Sequence, residues 1–246
     1  MSKADEIALN GWTAVPVDAA RILNGKPYIH VPERLLVDDI SFPSDDHIVS
    51  NVQQYAKDKL PEQTFNHSMR VFYFGSAIVR QQFPEYAATF SPSILALTSL
   101  LHDIGTTQEN LEATRLSFEF HGGYIALNLL QKEFGASKDQ AEAVCETIIR
   151  HQDLGKDGMI TFLGQVIQLA TIYDNVGEHP DIPNFGQIIH EATREDVNKR
   201  FPRNAWLGCF AETIRKEIKL KPWCHTTHIP DFDEKVEGNV LMRPYE

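Results

Sequence analysis

The chain has 246 residues, which is enough for one domain with a sizeable hydrophobic core. Its composition, 42% hydrophobic and 23% charged, is that of a soluble globular protein. The formal net charge of −11 argues against a surface that binds nucleic acid or an anionic membrane.

The cysteines and the hydropathy pattern indicate the compartment. Cys145, Cys209 and Cys224 are scattered and form no CxxC pair, so neither a disulfide framework nor a thiolate zinc site is predicted. No apolar run approaches the length of a membrane span, and the first residues lack a signal-peptide pattern. We therefore expect a reduced, cytoplasmic protein with no nucleic-acid or membrane partner.

Residues 1–43 are rich in proline and show no sustained hydrophobic period. They are too apolar for a disordered tail, so we expect an irregular N-terminal arm packed on the core. A helix begins after Ser44, where Asp45 and Asp46 favour the positive end of the helix dipole, and Pro61 stops it.

The second predicted helix carries a histidine on its buried face. It runs from about Thr64 to Phe83, and its apolar stripe includes Val71 and Ile78. His67 lies on the same stripe, one turn before Val71. A single histidine on an apolar face is usually a core residue whose ring nitrogens bond the backbone, so His67 alone does not predict a site.

The third predicted helix starts at Pro92 and ends in a histidine and an aspartate. The run Ile94–Leu101 is so apolar that it predicts a buried helix, and Gly105 marks its end. A carboxylate at the end of a buried helix is costly unless it is paired or bound to a metal. Because His102 precedes Asp103 directly, a metal is the natural partner.

The fourth and fifth predicted helices each carry one further histidine. His121 lies in the first turn of the helix from Ser117 to Phe134, and His151 lies on the buried face of the helix that Ser137 begins. Taken singly, His121 is best explained as an N-terminal helix residue. For His151, a core residue and a site residue are equally good interpretations.

The sixth predicted helix, from about Thr161 to Val176, places an aspartate on its apolar stripe. Asp174 is that residue, and Thr171 lies one turn earlier. Asp174 alone would be explained equally well as a buried hydrogen-bond acceptor or as a cap for a neighbouring helix.

Two more helices are predicted, one at about 184–201 and one that Asn204 caps, whereas the tail from Lys221 has no regular period. The segment 106–116 is polar and is expected to be a loop. Nothing resembles strand alternation, so we predict an all-α, single-domain fold. The arm 1–43, a helical domain over 44–220 and a tail over 221–246 are its expected parts.

Together, these residues predict a metal site. Unpaired buried carboxylates and imidazoles on several helices would cost more than a marginally stable domain can spare, and a shared cation satisfies all of them. His67, His102, Asp103 and Asp174 are the predicted ligands. Two imidazoles and two carboxylates suit Zn²⁺, Fe²⁺ or Mn²⁺ better than Ca²⁺ or Mg²⁺.

The order of these ligands, H…HD…D, resembles the signature of the HD-domain metal hydrolase superfamily over roughly residues 44–180. Other stretches look like the fungal cyanamide hydratases. They are Gly11-Trp-Thr-Ala-Val-Pro, Phe118-Glu-Phe-His-Gly-Gly, Ile149-Arg-His-Gln-Asp, Gln168-Leu-Ala-Thr-Ile-Tyr-Asp-Asn-Val-Gly and Lys221-Pro-Trp-Cys-His-Thr-Thr. This resemblance implies one bound zinc and a hydro-lyase activity that converts cyanamide to urea.

In such a reaction, water activated by the metal attacks the nitrile carbon, and the nitrile nitrogen needs a proton. His151 and His121 are the candidate proton relays, because neutral histidine exchanges protons near pH 7. Thr171 is a candidate for orienting the water or the substrate. Asp103 is expected both to bind the metal and to accept a proton. Four aromatic residues are candidates for lining a small pocket, although core packing is the commoner role for such side chains: Phe118, Phe120, Tyr124 and Trp223.

Two alternatives remain open at this point. The first is hydrolysis of nucleotides or other small phosphate esters, which would need cationic side chains near the metal. The arginines close to candidate site residues are Arg70, Arg115 and Arg150. No Gly-rich phosphate loop is visible in the sequence. A metal-free regulatory module that binds a partner would not need an intact ligand set. Finally, the tryptophans Trp206 and Trp223 and the N-terminal arm leave apolar surface, so we expect a homo-oligomer.

Overall fold

The computed structural model describes residues 2–246, and its regular structure is helical apart from one small sheet, so the predicted all-α fold is confirmed. The α-helices are α1 (Lys3–Leu9), α2 (Ala19–Ile22), α3 (His47–Lys59), α4 (Glu62–Gln82), α5 (Pro84–Ala87), α6 (Pro92–Leu101), α7 (Gln108–Ala113), α8 (Phe118–Asn128), α9 (Lys138–Arg150), α10 (Phe162–Asn175), α11 (Glu191–Arg200), α12 (Trp206–Leu220) and α13 (Phe232–Glu237). Shorter helical turns lie at Val37–Asp39, Ile104–Thr106, Phe185–Ile188, His225–His228 and Arg243–Tyr245, and α8 continues as a π-helical turn over Leu129–Glu133.

The centre of the fold is α4, which packs against α6, α10, α11 and α12. Neighbours on several sides explain why most of this 21-residue helix is buried. Helix α6 begins as the sequence predicts, with Pro92 in its first turn and the Ser91 hydroxyl accepting the Ser93 N–H. Helix α10 is capped in the same way by Thr161. These two caps fix the residues at which α6 and α10 begin.

A short sheet was not predicted. Strand β1 (Ala14–Pro16) pairs antiparallel with β2 (Met159–Thr161), which leads directly into α10. Gly11 allows this close approach, because its φ is +69° and a Cβ there would lie 2.8 Å from the Leu163 Cβ. Three-residue strands are too short for their alternation to stand out in a sequence.

The N-terminal arm contributes to the same apolar core as the helices. Its buried residues pack into that core together with the stripes of α3, α4, α6, α9 and α10. They are Val15, Val17, Ala19, Leu23, Val37 and Ile40. A smaller cluster lies between α12 and α13.

Several predicted boundaries were wrong. The segment 106–116, interpreted as a loop, contains α7, and the helix predicted at 184–201 starts only at Glu191. Asn204 does not cap α12, because both Asn204 and Ala205 have positive φ and the Asn204 amide donates to Glu62 Oε1 instead. These boundaries depend on local backbone geometry that hydrophobic periodicity does not report.

The expectation that Trp206 is free for self-association was also wrong. Its ring is 1% exposed and stacks on the His67 ring at 4.4 Å, and its indole N–H donates to Asn175 Oδ1. Trp223, by contrast, is 59% exposed. None of the helices within residues 2–246 is both long enough and apolar enough to cross a membrane.

Candidate metal centre

Three residues on two helices form a buried cluster of metal-binding groups. His67 projects from α4, and His102 and Asp103 follow the last residue of α6. The two imidazole Nε2 atoms are 3.1 Å apart, and Asp103 Oδ2 is 3.6 Å from His67 Nε2 and 3.3 Å from His102 Nε2. Ligand atoms this close together can all bind one ion.

Hydrogen bonds on the far side of each ring decide which nitrogen carries the proton. His67 Nδ1 donates to Asp174 Oδ2 over 2.6 Å, and His102 Nδ1 donates to the Ser99 carbonyl oxygen over 2.8 Å. A neutral imidazole has only one N–H, so both Nε2 atoms present lone pairs. The two Nε2 lone pairs therefore face each other beside the Asp103 carboxylate. These three groups repel one another unless a cation lies among them.

Asp103 has no donor of its own. Within residues 2–246 neither of its carboxylate oxygens accepts a hydrogen bond, although both are buried. A buried carboxylate without a partner is costly. One divalent cation would satisfy this carboxylate and both lone pairs, and a nitrogen and oxygen donor set without thiolate suits Zn²⁺, Fe²⁺ or Mn²⁺. The residues present therefore fit a metal.

The pKa shifts of Asp103 and His67 agree with this interpretation, whereas the pKa of His102, which burial would lower, is raised by Asp103. Burial would raise the pKa of Asp103, but the neighbouring His102 and His67 outweigh it and hold that pKa well below its usual range. Burial lowers the pKa of His67 to about 4, and the contact with Asp174 offsets only part of that shift. At neutral pH the carboxylate is ionised and His67 is neutral, as metal binding requires.

Asp174 lies beside the cluster but faces the other side of His67. Its Oδ2 accepts the Nδ1 proton, whereas the lone pair that faces the cluster is on Nε2. A carboxylate in this position orients a ligating histidine and increases its basicity. The structure thus brings the four predicted ligands together, with His67, His102 and Asp103 converging and Asp174 in contact through His67.

Two buried arginines hold Asp174, and the sequence interpretation missed this role. Arg70 Nε and Nη2 donate to its carboxylate at 2.9–3.1 Å, and Arg203 Nη1 donates at 2.5 Å. Burial would raise the pKa of Asp174, but Arg203, Arg70 and His67 together hold it well below its usual range. The position of Arg70 three residues after His67 was a usable signal. Arg203, which Glu246 also contacts, lies in a loop and gave none.

His151 lies next to the cluster, at the end of α9. Its ring is 5.3 Å from the His102 ring, and its Nδ1 donates to the Ile148 carbonyl oxygen, which leaves the Nε2 lone pair free. Burial and the neighbouring His102 lower the pKa of His151. A neutral imidazole with an unused Nε2 is able to accept a proton.

Thr171 and His151 line the same cavity, which has a volume of about 330 Å³. The Thr171 hydroxyl donates to the carbonyl oxygen of Ile167, one turn earlier, and is almost fully buried. Since its proton is used in this bond, its oxygen remains available only as an acceptor.

The structure does not bring His121 to the cluster. Its ring makes no hydrogen bond within residues 2–246, it does not line the cavity, and burial together with Lys221 lowers its pKa. None of the four aromatic candidates lines the cavity either. Phe118 is buried 5.7 Å from the His151 ring, and Phe120 stacks on His225. The remaining two expected residues are exposed, namely Tyr124 and Trp223.

A second buried polar cluster, also missed, fixes the C-terminal segment. Glu119 Oε1 accepts from His225 Nδ1 over 2.7 Å, and Glu217 accepts from the Phe118 N–H and the Thr226 hydroxyl, each at 2.7 Å. The Glu119 contact raises the pKa of His225, and burial raises that of Glu217. The segment that begins at His225 is thereby held where its later residues line the cavity.

Comparison with known proteins supports a relationship over nearly the whole chain. The HD-domain family model matches residues 64–176, which run from α4 to the end of α10. Two relatives from Saccharomyces cerevisiae, cyanamide hydratase DDI2 and cyanamide hydratase DDI3, are each 39% identical to this chain over 232 residues. The matched region covers 94% of this chain and 97% of each relative.

Proposed function

The chain belongs to the family of the yeast cyanamide hydratases and contains an HD domain, and on this basis we propose that it hydrates cyanamide to urea. The observation that carries the proposal is the cluster of facing lone pairs, 3.1 Å apart, beside the unpartnered carboxylate of Asp103. Such a cluster is suited to a metal ion, and it lies in a helical fold whose relatives bear the name of this activity.

His67, His102 and Asp103 are the residues that would hold the metal, which we propose to be one Zn²⁺ per chain; the donor set also suits Fe²⁺ and Mn²⁺. When bound, a zinc ion supplies a Lewis acid that makes water more acidic and polarises the nitrile. The geometry supports an orienting role for Asp174, and its role as a direct ligand stays a prediction.

His151 is the group we assign to proton transfer. Its free Nε2 takes a proton from the attacking water and passes it to the nitrile nitrogen, so that a C–O bond forms as one C–N π bond breaks. The product is isourea, which tautomerises to urea. The lowered pKa of His151 supports this assignment, because the imidazole is neutral at pH 7 and able to accept the proton.

Thr171 and Asp103 have supporting roles in this proposal. The Thr171 oxygen lies in the wall of the cavity and can accept a hydrogen bond from the attacking water. Asp103 has two oxygens without a donor, so one can face an ion while the other accepts a water proton. His121 stays a predicted relay, although His151 is the better candidate because it lines the cavity and His121 does not.

Phosphate-ester hydrolysis is less well supported. The guanidinium of Arg70 is fully buried and occupied by Asp174 and by the carbonyl oxygens of Phe201 and Pro202. Arg150 donates to Asp153 and is not in the cavity lining. Among residues 2–246, no arginine lines this cavity, and Lys235, which does, donates to the Pro230 carbonyl oxygen. A phosphate in this cavity would therefore meet no guanidinium group, which is the usual bidentate partner of a phosphate.

We also propose a cytoplasmic homo-oligomer. All three cysteines are free, which agrees with a reducing compartment. Three apolar side chains are exposed in adjoining segments, since the Trp223 indole donates to the Arg115 carbonyl oxygen; they are Leu116, Leu220 and Trp223. We propose that a second copy of the chain covers this apolar surface. Light scattering on the purified protein would test the assembly.

One experiment tests the proposed activity against its rival. Purified protein with a measured metal content is assayed for urea release from cyanamide and for phosphate release from nucleoside mono- and triphosphates. We expect urea from cyanamide and no phosphate above background. Phosphate release without urea would replace this proposal by the phosphohydrolase, and neither product from metal-loaded protein would refute both.

A further inference from the structure

The indole of Trp206 lies flat against one of the metal-binding side chains. Its ring centroid is 4.4 Å from that of His67, and the two ring planes are 15° from parallel. Both side chains are buried. Stacked aromatic pairs of this kind stabilise each other beyond the area that they bury. One face of the His67 imidazole is therefore covered by a large, flat π system.

Two consecutive residues of α10 anchor the stacked rings. His67 Nδ1 donates to Asp174 Oδ2 over 2.6 Å, and Trp206 Nε1 donates to Asn175 Oδ1 over 2.8 Å. Phe210, one turn further along α12, stacks on the indole at 5.1 Å. Because Asp174 and Asn175 are adjacent, the position of one ring relative to the other depends on a single short stretch of backbone.

The turn that precedes α12 places the indole at the metal centre. Asn204 and Ala205 have φ angles of +51° and +63°, and alanine rarely adopts this left-handed conformation. At the start of the turn, Arg203 donates to the Asp174 carboxylate, and Trp206 follows directly after its end. Strained backbone persists where surrounding contacts hold it, and it clusters at functional sites. Contacts at the metal centre hold this turn at both of its ends.

A ligating imidazole needs such a neighbour for two reasons. The χ2 torsion of histidine is broad, so the side chain's own preferences do not fix the plane of the ring. The bond from His67 to Asp174 restrains one edge of the ring, and the indole restrains its tilt. A divalent cation on Nε2 would also make the imidazole electron-poor, and the face of tryptophan attracts positive charge more strongly than that of any other side chain.

We propose that Trp206 is a positioning residue for the metal centre, whose indole fixes the plane of the His67 ring and thereby raises the affinity of the site for a divalent cation. This inference rests on the metal centre of the proposed function but not on the substrate. If Trp206 only filled the core, its replacement would lower stability and leave the metal affinity of the folded protein unchanged. A positioning role makes that affinity follow the aromatic face, in the order Trp, Phe, Leu.

The first test measures the Kd for Zn²⁺ of metal-free protein by competition with a chromogenic chelator, after circular dichroism has shown that each variant is folded. Trp206→Leu should raise the Kd by on the order of 10–100-fold, as loss of a group that orients a ligand does. Trp206→Phe keeps an aromatic face and should raise it less. Ile214→Ala is the matched control, because Ile214 is 2% exposed in the same helix and the same apolar cluster. It should lower the Tm and leave the Kd unchanged.

Tryptophan fluorescence gives a second readout, in which Trp206 itself is kept. The chain has three tryptophans, so the double variant Trp12→Phe, Trp223→Phe leaves Trp206 as the only one. Titration of this metal-free variant with Zn²⁺ should change the emission of Trp206 until one ion is bound per chain, because the ring that the indole contacts becomes electron-poor. Trp206→Phe retains the other two tryptophans, and its emission should not respond to Zn²⁺.

The outcomes separate this inference from the proposed function. The inference alone would be overturned by an unchanged Kd in folded Trp206→Leu protein, by an equal rise in Ile214→Ala, or by Trp206 emission that ignores bound Zn²⁺. The expected pattern of affinities and emission without urea release would refute the proposed hydratase and leave the inference standing. Wild-type protein that binds none of Zn²⁺, Fe²⁺ and Mn²⁺ would refute both.

Discussion

Replacement of Asp174 should destabilise the protein even when no metal is bound. Its carboxylate is fully buried and accepts hydrogen bonds from His67, Arg70 and Arg203, whose side chains are also 0% exposed. Asp174→Asn leaves the buried guanidinium of Arg70 without a counter-charge and that of Arg203 with Glu246 alone. Removing one partner of a buried ion pair costs about 3–5 kcal/mol. For a domain of this size that corresponds to a fall in Tm of roughly 6–20 °C.

The assay is urea unfolding of chelator-treated protein, followed by circular dichroism. A double variant, Asp174→Asn with Arg203→Met, is the informative control, because it removes a positive charge together with the negative one. We expect it to lose less stability than the sum of the two single variants, by on the order of 2 kcal/mol. A metal-free Asp174→Asn protein within about 1 kcal/mol of the wild type would refute the charge-balance reasoning.

The single variant Asp174→Asn also tests whether the Asp174 carboxylate orients His67 or binds the metal directly. If Asp174 acts through His67, Asp174→Asn should weaken metal binding by roughly 10–100-fold and leave the number of metal-bound atoms unchanged at saturation. X-ray absorption spectroscopy of the saturated variant measures that number. A loss of one oxygen ligand would show that Asp174 binds the metal directly, as the sequence alone predicts.

Three further predictions concern other residues. Asp103→Ala, or chelation of the wild type, should abolish urea release, and added Zn²⁺ should restore activity only to the chelated wild type. His151→Ala should keep its metal, measured by elemental analysis, but its kcat should fall by on the order of 10²–10⁴-fold. His151→Gln should recover little of the lost kcat. Loss of the metal from His151→Ala would instead show that His151 is a ligand. The pKa of His225 is raised in the folded state because its ring donates a hydrogen bond to Glu119. The stability that this contact adds is fully present below the unfolded pKa of histidine, near ~6.5. It is lost as the pH rises through the folded pKa. His225→Gln should therefore lower the free energy of unfolding more at pH 5.5 than at pH 9, with the exposed His30→Gln as control; equal losses at both pH values would contradict this.

The sequence carries strong information about each helix of the site taken alone. The stripes that contain His67 and Asp174, and the apolar run that ends at His102 and Asp103, follow from a period of 3.6 residues and are present in the structure. Buried polar residues on such stripes need partners, and this need alone led to the prediction of a metal site. The order of these residues also led to the family to which the chain belongs.

Other parts of the site depend on contacts between distant segments. Arg203 reaches Asp174 from a loop 29 residues further along the chain, and Trp206 covers His67 although its own sequence context suggested an exposed residue. The cavity wall combines α10 with Ile229 and Phe232 of a segment that shows no hydrophobic period.

There is a physical reason why the sequence predicts the buried helix faces but not the contacts between them. Periodicity reports which face of a helix leaves water, because burial of apolar side chains is a property of each helix and its local sequence. It does not report which partner covers that face. His67 and Asp174 are 107 residues apart, and their 2.6 Å contact exists only because α4 and α10 pack side by side. The sequence by itself determined which residues need a partner, whereas only the tertiary structure decided which partner each one has.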